Sequence, residues 1–315
     1  MADVPWPNKD EDLSTLKRYS FSSNTDIFSC GTCSSQMFVR GSHTDGVAVF
    51  TGALENTPNL VRYDNHTFVG DTKDGGASTW LAKGPDGTTQ TRWAERYKSS
   101  QEFSGSWSER SKHASSVRAS DAVASPDFTP LRCHCRGVQL FLKSGIDLAS
   151  GTEKKLNGKP ESKTGRYTTH IDACDSCRMA LGSDLVHWAF VALDHLYYSV
   201  EEAEQGPPPF QNIHDLRDTV ARKDPKIGTL AMYRSSEKAE RYHCSNCSAT
   251  IFYTEHGLPD QADIAIGVLD HPDGARAEGL LAWDRSLIDH INDTKGGWRE
   301  GLTAKYLHEA NNWQS

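Results

Sequence analysis

The stretch TLAMYRSSEKAERYHCSNCSATIF, residues 229–252, decides the fold because the chain carries a second version of it. Shifting the sequence by 214 residues places TLKRYSFSSNTDIFSCGTCSSQMF, residues 15–38, on this stretch without a gap, and eight of the 24 positions are identical. Average composition gives about one or two identities by chance over such a length. The similarity continues in the alternating segments VAVFTGAL from Val47 and IAIGVL from Ile264. The chain therefore contains two copies of one unit.

The two copies are unequal in length. The second copy has two further cysteine pairs upstream, beginning at Cys133 and Cys174, and their counterparts in the first copy would lie before Met1. The first copy is thus predicted to lack its front half. We divide the chain into a partial domain at 13–95, a linker at 96–127, a complete domain at 128–290 and a C-terminal tail at 291–315.

The linker and two long loops are predicted from composition. Residues 96–126 hold ten serines among 31 positions and few large apolar side chains. Such a segment buries too little apolar surface to offset its chain entropy. Lys143–Arg166 is a polar loop rich in Gly, Lys and Ser, and Glu201–Lys226, which contains three consecutive prolines, is a second long excursion.

Strands dominate the predicted secondary structure. Short apolar or alternating runs bounded by turn residues are typical of strands. Such runs occur at Val138–Leu142, Trp188–Leu193, Ala249–Tyr253 and Asp263–Leu269. Two segments, Leu287–Ile291 and Thr303–Ala310, are predicted as helices, and no periodicity supports a doubly wound sheet. The fold class is therefore predicted to be mainly β.

Composition and charge exclude several classes of protein. The 315 residues carry 42 acidic and 34 basic side chains, a net charge of −8, so no electrostatic feature favours nucleic acid or an anionic membrane as partner. The best apolar run, Leu185–Leu193, is nine residues long, whereas a membrane span needs about 18. The opening MADVPWPNKDEDL lacks the basic start and apolar stretch of a secretory signal. We expect a cytoplasmic protein.

The eight cysteines form four close pairs: Cys30/Cys33, Cys133/Cys135, Cys174/Cys177 and Cys244/Cys247. In a reducing compartment such pairs hold metal more often than they form disulfides. A redox CxxC would need a strand-to-helix βαβ setting, which the sequence around these pairs does not supply. Two thiolate pairs from distant parts of a chain can complete a zinc tetrahedron. Zinc is favoured, and spacing alone leaves open which pairs combine.

The third pair offers a different ligand set. The segment DACDSCR places one carboxylate, Asp172, and two thiolates, Cys174 and Cys177, at short range. Three protein ligands with an exchangeable fourth position distinguish catalytic from structural zinc. The alternative is that Asp172 only accepts a hydrogen bond in a turn and that the two cysteines are a closed structural pair. Three histidines flank the pairs and are interpreted as solvated side chains rather than as ligands or ligand supports: His134, His170 and His243.

The chain resembles the glutathione-dependent formaldehyde-activating enzyme and centromere protein V domain family in three ordered motifs: LRCHCRGVQLF from Leu131, DACDSCR from Asp172 and YHCSNCSATIF from Tyr242. The family pattern is Cys-x-Cys-Gly-x-Val, then Cys-x-Cys-x-x-Cys, then Cys-x-x-Cys-Gly. The resemblance covers residues 128–285. Residues 13–95 resemble the back half of a second such domain, as in fungal members with tandem domains.

The resemblance implies a β-tent fold with one structural and one exchangeable zinc ion. The structural zinc maps onto Cys133, Cys135, Cys244 and Cys247, and the catalytic zinc maps onto Asp172, Cys174 and Cys177. The implied activity joins glutathione and formaldehyde into S-hydroxymethylglutathione, a carbon–sulfur lyase reaction in reverse. Arg178, directly after the middle motif, is expected to attract a carboxylate of glutathione.

Three departures from the family pattern bear on function. Arg136 and Ser248 replace glycines and are expected to affect only turns. Asp172 replaces the first cysteine of the middle motif, and its oxygen is a harder ligand that binds zinc less tightly. The leading interpretation is a zinc-dependent, carbon–sulfur lyase-like enzyme. The alternatives are a non-catalytic zinc module that binds a partner protein and a degenerate tandem copy without activity.

The first copy poses a separate question. Cys30 and Cys33 can supply only two of four zinc ligands, so we expect them to be free thiols. A half-domain with an unpaired sheet edge is expected to be unstable by itself. Residues 13–95 should therefore pack against the second domain, pack against another chain by self-association, or remain loosely structured.

Overall fold

The computed structural model describes residues 4–5, 12–42, 46–84, 86–103, 127–144 and 165–312. Within these residues the chain is mainly β, as predicted, and its strands form several separate sheets. Most of the Ser-rich linker and most of the polar loop 143–166 lie outside the described residues.

The first copy forms a five-stranded antiparallel sheet. Its strands are β1 (Val4–Pro5), β2 (Leu16–Ser22), β3 (Thr25–Cys30), β4 (Gln36–Gly41) and β5 (Gly46–Val49), in the spatial order β1-β5-β4-β3-β2. A 3₁₀ turn, Thr51–Ala53, follows β5. Two short strands, β6 (Asn65–His66) and β7 (Thr91–Arg92), then pair in parallel.

The second copy is built around two sheets. The smaller sheet contains β8 (Phe128–Arg132), β9 (Gln139–Lys143) and β12 (Leu196–Tyr197) in the order β12-β9-β8. The larger contains β10 (Tyr167–Asp172), β11 (Val186–Ala192), β13 (Leu230–Arg234), β14 (Ala239–Cys244), β15 (Thr250–Glu255), β16 (Gln261–Ala265) and β17 (Leu281–Asp289). Its spatial order is β13-β14-β15-β16-β11-β10-β17. The helices are α1 (Asp175–Leu181), α2 (Val200–Gln205), α3 (Ile213–Ala221) and α4 (Trp298–Asn312).

The two copies share their local geometry at the cysteine turns. The β3–β4 ladder has an irregularity after Phe28, and the β14–β15 ladder has one after Tyr242, which is 214 residues later. Ser34 and Ser248 both adopt left-handed backbone, with φ of 61° and 62°. In each copy the amide of the first cysteine donates to the carbonyl five residues later at 2.9 Å. Backbone hydrogen bonds therefore form this turn in both copies.

Strand β11 lies between two packed layers. Alternate residues of a strand point to opposite faces of the sheet. Val186 and Trp188 pack with Cys177 on one face, and Ala189 and Val191 belong to the main apolar core on the other. Because both faces are covered, the strand is a nearly continuous apolar run rather than an alternating one.

The 3₁₀ turn of the first copy lies directly against helix α1 of the second. The amide of Gly52 donates to the carbonyl of Gly182 at 3.1 Å. Arg178, which is buried, donates from Nη1 to the carbonyls of Gly52 and Leu54 at 2.5 and 2.9 Å. The half-domain thus packs against the complete one, which is one of the arrangements expected from the sequence.

A second buried arginine extends this contact to the last helix. Arg299 in α4 donates from Nη2 to the carbonyl of Thr51 at 2.6 Å and from Nε to Asp184 at 2.7 Å. Asp184 also accepts hydrogen bonds from the hydroxyls of Thr51 and Tyr63. One buried carboxylate therefore links the first copy, the segment after α1 and the C-terminal helix.

The C-terminal segment differs from the sequence prediction. The predicted helix Leu287–Ile291 is wrong for its first residues, because β17 continues to Asp289 and buries Ile288 opposite Ile171 on β10. The predicted helix Thr303–Ala310 lies within α4. Side chains of α4 pack in the Trp80 cluster of the core, so the described part of segment 291–315 is not a free tail.

We predict that Gly52→Ala destabilises the protein by about 1–3 kcal/mol, because an added Cβ overpacks this contact. A Cβ there would lie 2.5 Å from backbone atoms of both Gly182 and Ser183. Gly267 is the counterpart of Gly52 in the second copy, and a Cβ there meets nothing within 4 Å. Gly267→Ala is therefore the matched control. Urea unfolding followed by tryptophan fluorescence checks both, and equal midpoints would contradict the contact.

We also predict a loss of stability as the pH falls from about 6.5 to about 4. Burial lowers the pKa of His187 to about 4, whereas an unfolded histidine titrates near 6.5. Over this interval only the unfolded chain takes up the proton, which removes up to about 3 kcal/mol. His187→Gln should reduce the difference between unfolding free energies measured at pH 5 and pH 7.5. An unchanged difference would show that another group causes the pH dependence.

Candidate metal centres

Four cysteines meet at the joint between the two sheets of the second copy. Cys133 and Cys135 lie in the tight turn after β8, where the amide of Arg136 donates to the carbonyl of Cys133 at 2.9 Å. Cys244 ends β14, and Cys247 lies in the turn that leads to β15. All four sulfur atoms lie within 4.8 Å of one another. The structure thus brings together the four residues assigned to the structural site.

The spacing and surroundings of these sulfurs fit a tetrahedral metal. The Sγ atom of Cys135 lies 3.6 Å from that of Cys133 and 3.5 Å from that of Cys244. Zinc–sulfur bonds of about 2.3 Å place tetrahedral sulfurs about 3.8 Å apart. Backbone amides of Gly137 and Val138 donate to the first pair at 3.4 and 3.3 Å. Such hydrogen bonds favour thiolates, the form that binds metal.

The second cluster contains Asp172, Cys174 and Cys177, whose ligand atoms also lie within 4.8 Å of one another. Asp172 ends β10, Cys174 is the residue before α1, and Cys177 lies in its first turns. The Cys177 thiol hydrogen-bonds the Cys174 sulfur, which lowers the pKa of Cys174 to about 6. Asp172 and Cys177 are buried and Cys174 is half-buried. These three donors fit a metal site with a further position for an exchangeable ligand.

Asp172 serves the local turn as well as the cluster. Its Oδ1 atom accepts from the amide of Cys174 at 2.9 Å and lies 3.0 Å from Nδ1 of His290. Asp172 therefore accepts a hydrogen bond in the turn, as the alternative from the sequence proposed. Its carboxylate also lies close enough to both thiols to share a metal ion with them.

Arg241 was missed by the sequence analysis. It lies on β14, is buried, and donates from Nη2 to Ser176 Oγ at 2.9 Å and to Cys177 Sγ at 3.5 Å. Its guanidinium carbon lies 5.1 Å from the ring centroid of Tyr253. Its Nη1 atom is buried and has no hydrogen-bond partner among the described residues. A buried cation with one unpaired nitrogen therefore stands next to the cluster.

Asp263 was missed as well. It lies on β16, where it pairs with Tyr253 of β15 on one side and with Phe190 of β11 on the other. Tyr253 in turn pairs with Arg241 of β14, so Asp263 and Arg241 lie on the same face of the sheet. Burial raises the pKa of Asp263 to about 7, and Gln261 donates to its Oδ1 atom at 2.8 Å. The pairing register of β14, β15 and β16 places Asp263 beside Arg241. That register cannot be derived from the spacing of residues in the sequence.

Arg178 is engaged elsewhere. Besides its two backbone carbonyl contacts with the first copy, its Nε atom donates to Asp175 at 2.6 Å. We expected Arg178 to attract a carboxylate of glutathione. This stays a prediction, and the three contacts above do not support it.

The flanking histidines lie outside both ligand clusters. His134 stacks on Phe21, and its Nδ1 lies 2.7 Å from the hydroxyl of Tyr19. His170 and His243 are buried rather than solvated. Their interpretation as solvated side chains is therefore wrong for these two, because the sheet faces that carry them are covered.

The first-copy pair lies in a folded turn, and the described residues bring no third possible ligand to it. Among the described residues, Cys30 and Cys33 belong to no group of three or more possible metal ligands. Both are half-buried, and the Sγ of Cys33 lies 3.2 Å from the hydroxyl of Ser35.

Comparison with protein-family models and with curated proteins found no match for this chain. In the part of the chain that the structure describes, no helix combines the length and apolar character needed to cross a membrane.

We predict that Cys244→Ser removes the metal of the four-cysteine site and unfolds residues 128–290. Structural zinc contributes about 10–16 kcal/mol, as much as the whole stability of a domain, about 5–15 kcal/mol. Cys30→Ser, at the equivalent position of the first copy, is the matched control and should keep metal content and circular dichroism. A Cys244→Ser protein with native melting behaviour would rule out the assignment.

We predict a weaker, exchangeable metal at the second cluster. Mild chelation should remove it while the domain stays folded, and Asp172→Cys should tighten it because thiolate is the softer donor. Metal content per chain, measured before and after dialysis against a chelator series, checks both statements. If Cys174→Ala left the metal content of the second site unchanged, no metal would be bound there.

Proposed function

We propose that this protein is a zinc-dependent, carbon–sulfur lyase-like enzyme with a β-tent fold that joins glutathione, or a related thiol, with formaldehyde. The observation that carries the proposal is the three-donor cluster of Asp172, Cys174 and Cys177 next to the buried Arg241. Four thiolates close a structural site, whereas three donors leave a position for substrate. The order of the three cysteine motifs supports the same family.

The reaction needs a thiolate and a way to move one proton. Zinc at this cluster would lower the pKa of a substrate thiol. In the net reaction the sulfur adds to the aldehyde carbon, the C=O π pair moves to oxygen, and the thiol proton ends on that oxygen. Asp263 is suited to carry the proton, because it lies on the sheet face that carries Arg241 and burial raises its pKa to about 7, where it can accept and release a proton near neutral pH.

Arg241 is the residue we assign to thiol-substrate binding. Its free Nη1 atom would hydrogen-bond a carboxylate of glutathione, and charge-assisted bonds of this kind are strong in a buried site. The half-buried ring of Tyr253 lies 5.1 Å from the guanidinium carbon and stabilises the charge by a cation–π contact.

A non-catalytic zinc module that binds a partner protein, or a degenerate copy, is the competing proposal. The feature that favours it is Asp172, whose Oδ1 atom already accepts hydrogen bonds within the fold. Under this proposal, loss of metal alters the stability of the protein or its binding to a partner. The protein does not change the rate at which formaldehyde and glutathione react in buffer, with or without metal.

Exchange between free ¹³C-formaldehyde and its glutathione adduct, followed by NMR, tests the activity. We expect zinc-loaded protein to accelerate exchange and Arg241→Met to slow it about tenfold or more, because a buried charged hydrogen bond is lost. Arg234→Met removes an arginine whose side chain is 54% exposed on β13, and it should change the rate less than twofold. No acceleration by metal-loaded wild type would leave only the non-catalytic proposals.

A further inference from the structure

A cavity of about 540 Å³ lies beside strand β11 of the larger sheet, on the face opposite the cluster of Asp172, Cys174 and Cys177. His187 lines this cavity, while its neighbours Val186 and Trp188 pack with Cys177 on the opposite face. The volume is within the range of small-molecule sites, about 300–1,000 Å³. The proposed enzyme reaction does not use it.

The two copies of the repeat both contribute walls to the cavity. Phe50 and Leu81 come from the first copy and the segment after it, and Leu185 and Leu302 come from the second domain and α4. Such side chains suit an apolar ligand body, because burying them releases ordered water. The cavity therefore exists only when the half-domain is docked.

One polar group in the wall lacks a partner. The Nε2 atom of His187 is buried and has no hydrogen bond within the described residues. By contrast, Nε2 of His66, a second lining imidazole, lies 2.8 Å from the carbonyl of Leu81. A buried polar atom without a partner costs about 1–3 kcal/mol, and a ligand atom next to His187 would remove that cost.

One charged side chain at the cavity has no counterion among the described residues. Lys83 lines it and is exposed, and no carboxylate pairs with its ammonium among the described residues. The lining carboxylate, Asp184, is already paired with Arg299. Among the described residues that line the cavity, the charge left without a counterion is thus a cation, which favours an anionic ligand group.

We propose that this cavity binds a small carboxylic acid with an apolar body. The body packs among Phe50, Leu81 and Leu302, and the carboxylate faces Lys83. A hydrogen-bonding substituent on the body reaches His187. This ligand is distinct from glutathione, and no residue of the two candidate metal clusters lines its site.

Calorimetry with 2-naphthoate and its neutral isostere 2-naphthamide tests the chemistry. We expect the carboxylate to bind more tightly, and Lys83→Met to weaken its binding about two- to fivefold, the effect of losing one exposed charge pair. Lys238→Met, an exposed lysine on another surface, should leave binding unchanged. Cys174→Ala should also leave it unchanged, which separates this site from the proposed enzyme site.

Photo-crosslinking locates the ligand without relying on a variant. Zinc-loaded protein irradiated with 4-benzoylbenzoate, which has an apolar body and a carboxylate, should be labelled at cavity residues such as Phe50, Leu81 and Leu302, and excess 2-naphthoate should compete. Ala77→Phe, which fills the cavity from its wall, should abolish this labelling. Equal affinity for naphthoate and naphthamide, labelling elsewhere, or no binding at millimolar concentration would overturn the proposal.

Discussion

The contact between two buried arginines and three backbone carbonyls of the first copy organises this molecule. Arg178 and Arg299 donate to carbonyls within 51–54, and Asp184 balances one of the two charges. Burying guanidinium groups is costly unless their hydrogen bonds are made. Because those carbonyls belong to the first copy, the docked half-domain supplies hydrogen bonds that, together with Asp175 and Asp184, offset the desolvation cost of both arginines. The helix that carries Cys177 therefore depends on residues more than 120 positions away.

The cysteines of the two candidate metal clusters could be predicted from sequence, because a short spacing keeps two sulfurs close together whatever the tertiary fold. The role of Arg178 could not be predicted in this way. It follows directly after Cys177, so adjacency suggested a substrate contact. Its actual partners, Gly52 and Leu54, are brought to it by sheet packing, which no local pattern encodes.

Arg241 and Asp263 were hidden for a related reason. Every residue of β14 and of β16 is buried, so neither strand shows the alternation that identifies which side chains share a face. The mainly β class was predictable, since short apolar runs between turns indicate strands even without alternation. The glycines that the resembled family pattern carries at positions 136 and 248 indicated turns, and the structure has left-handed backbone at Arg136, Ser34 and Ser248. The turns keep that conformation with larger residues, at a cost of about 1–2 kcal/mol each.

A carboxylate at Asp172, where the resembled family pattern has a cysteine, gives the second cluster a specific property. A carboxylate has two oxygens, and one of them, Oδ1, is held by the Cys174 amide at the start of α1 and lies 3.0 Å from His290. These contacts orient the carboxylate before any metal binds, and the second oxygen takes no part in them. A cysteine would offer a softer donor, but its single sulfur would have to accept the hydrogen bonds of the turn and bind the metal. A preorganised oxygen donor that binds zinc less tightly than a thiolate fits the proposed exchangeable metal better than a structural one.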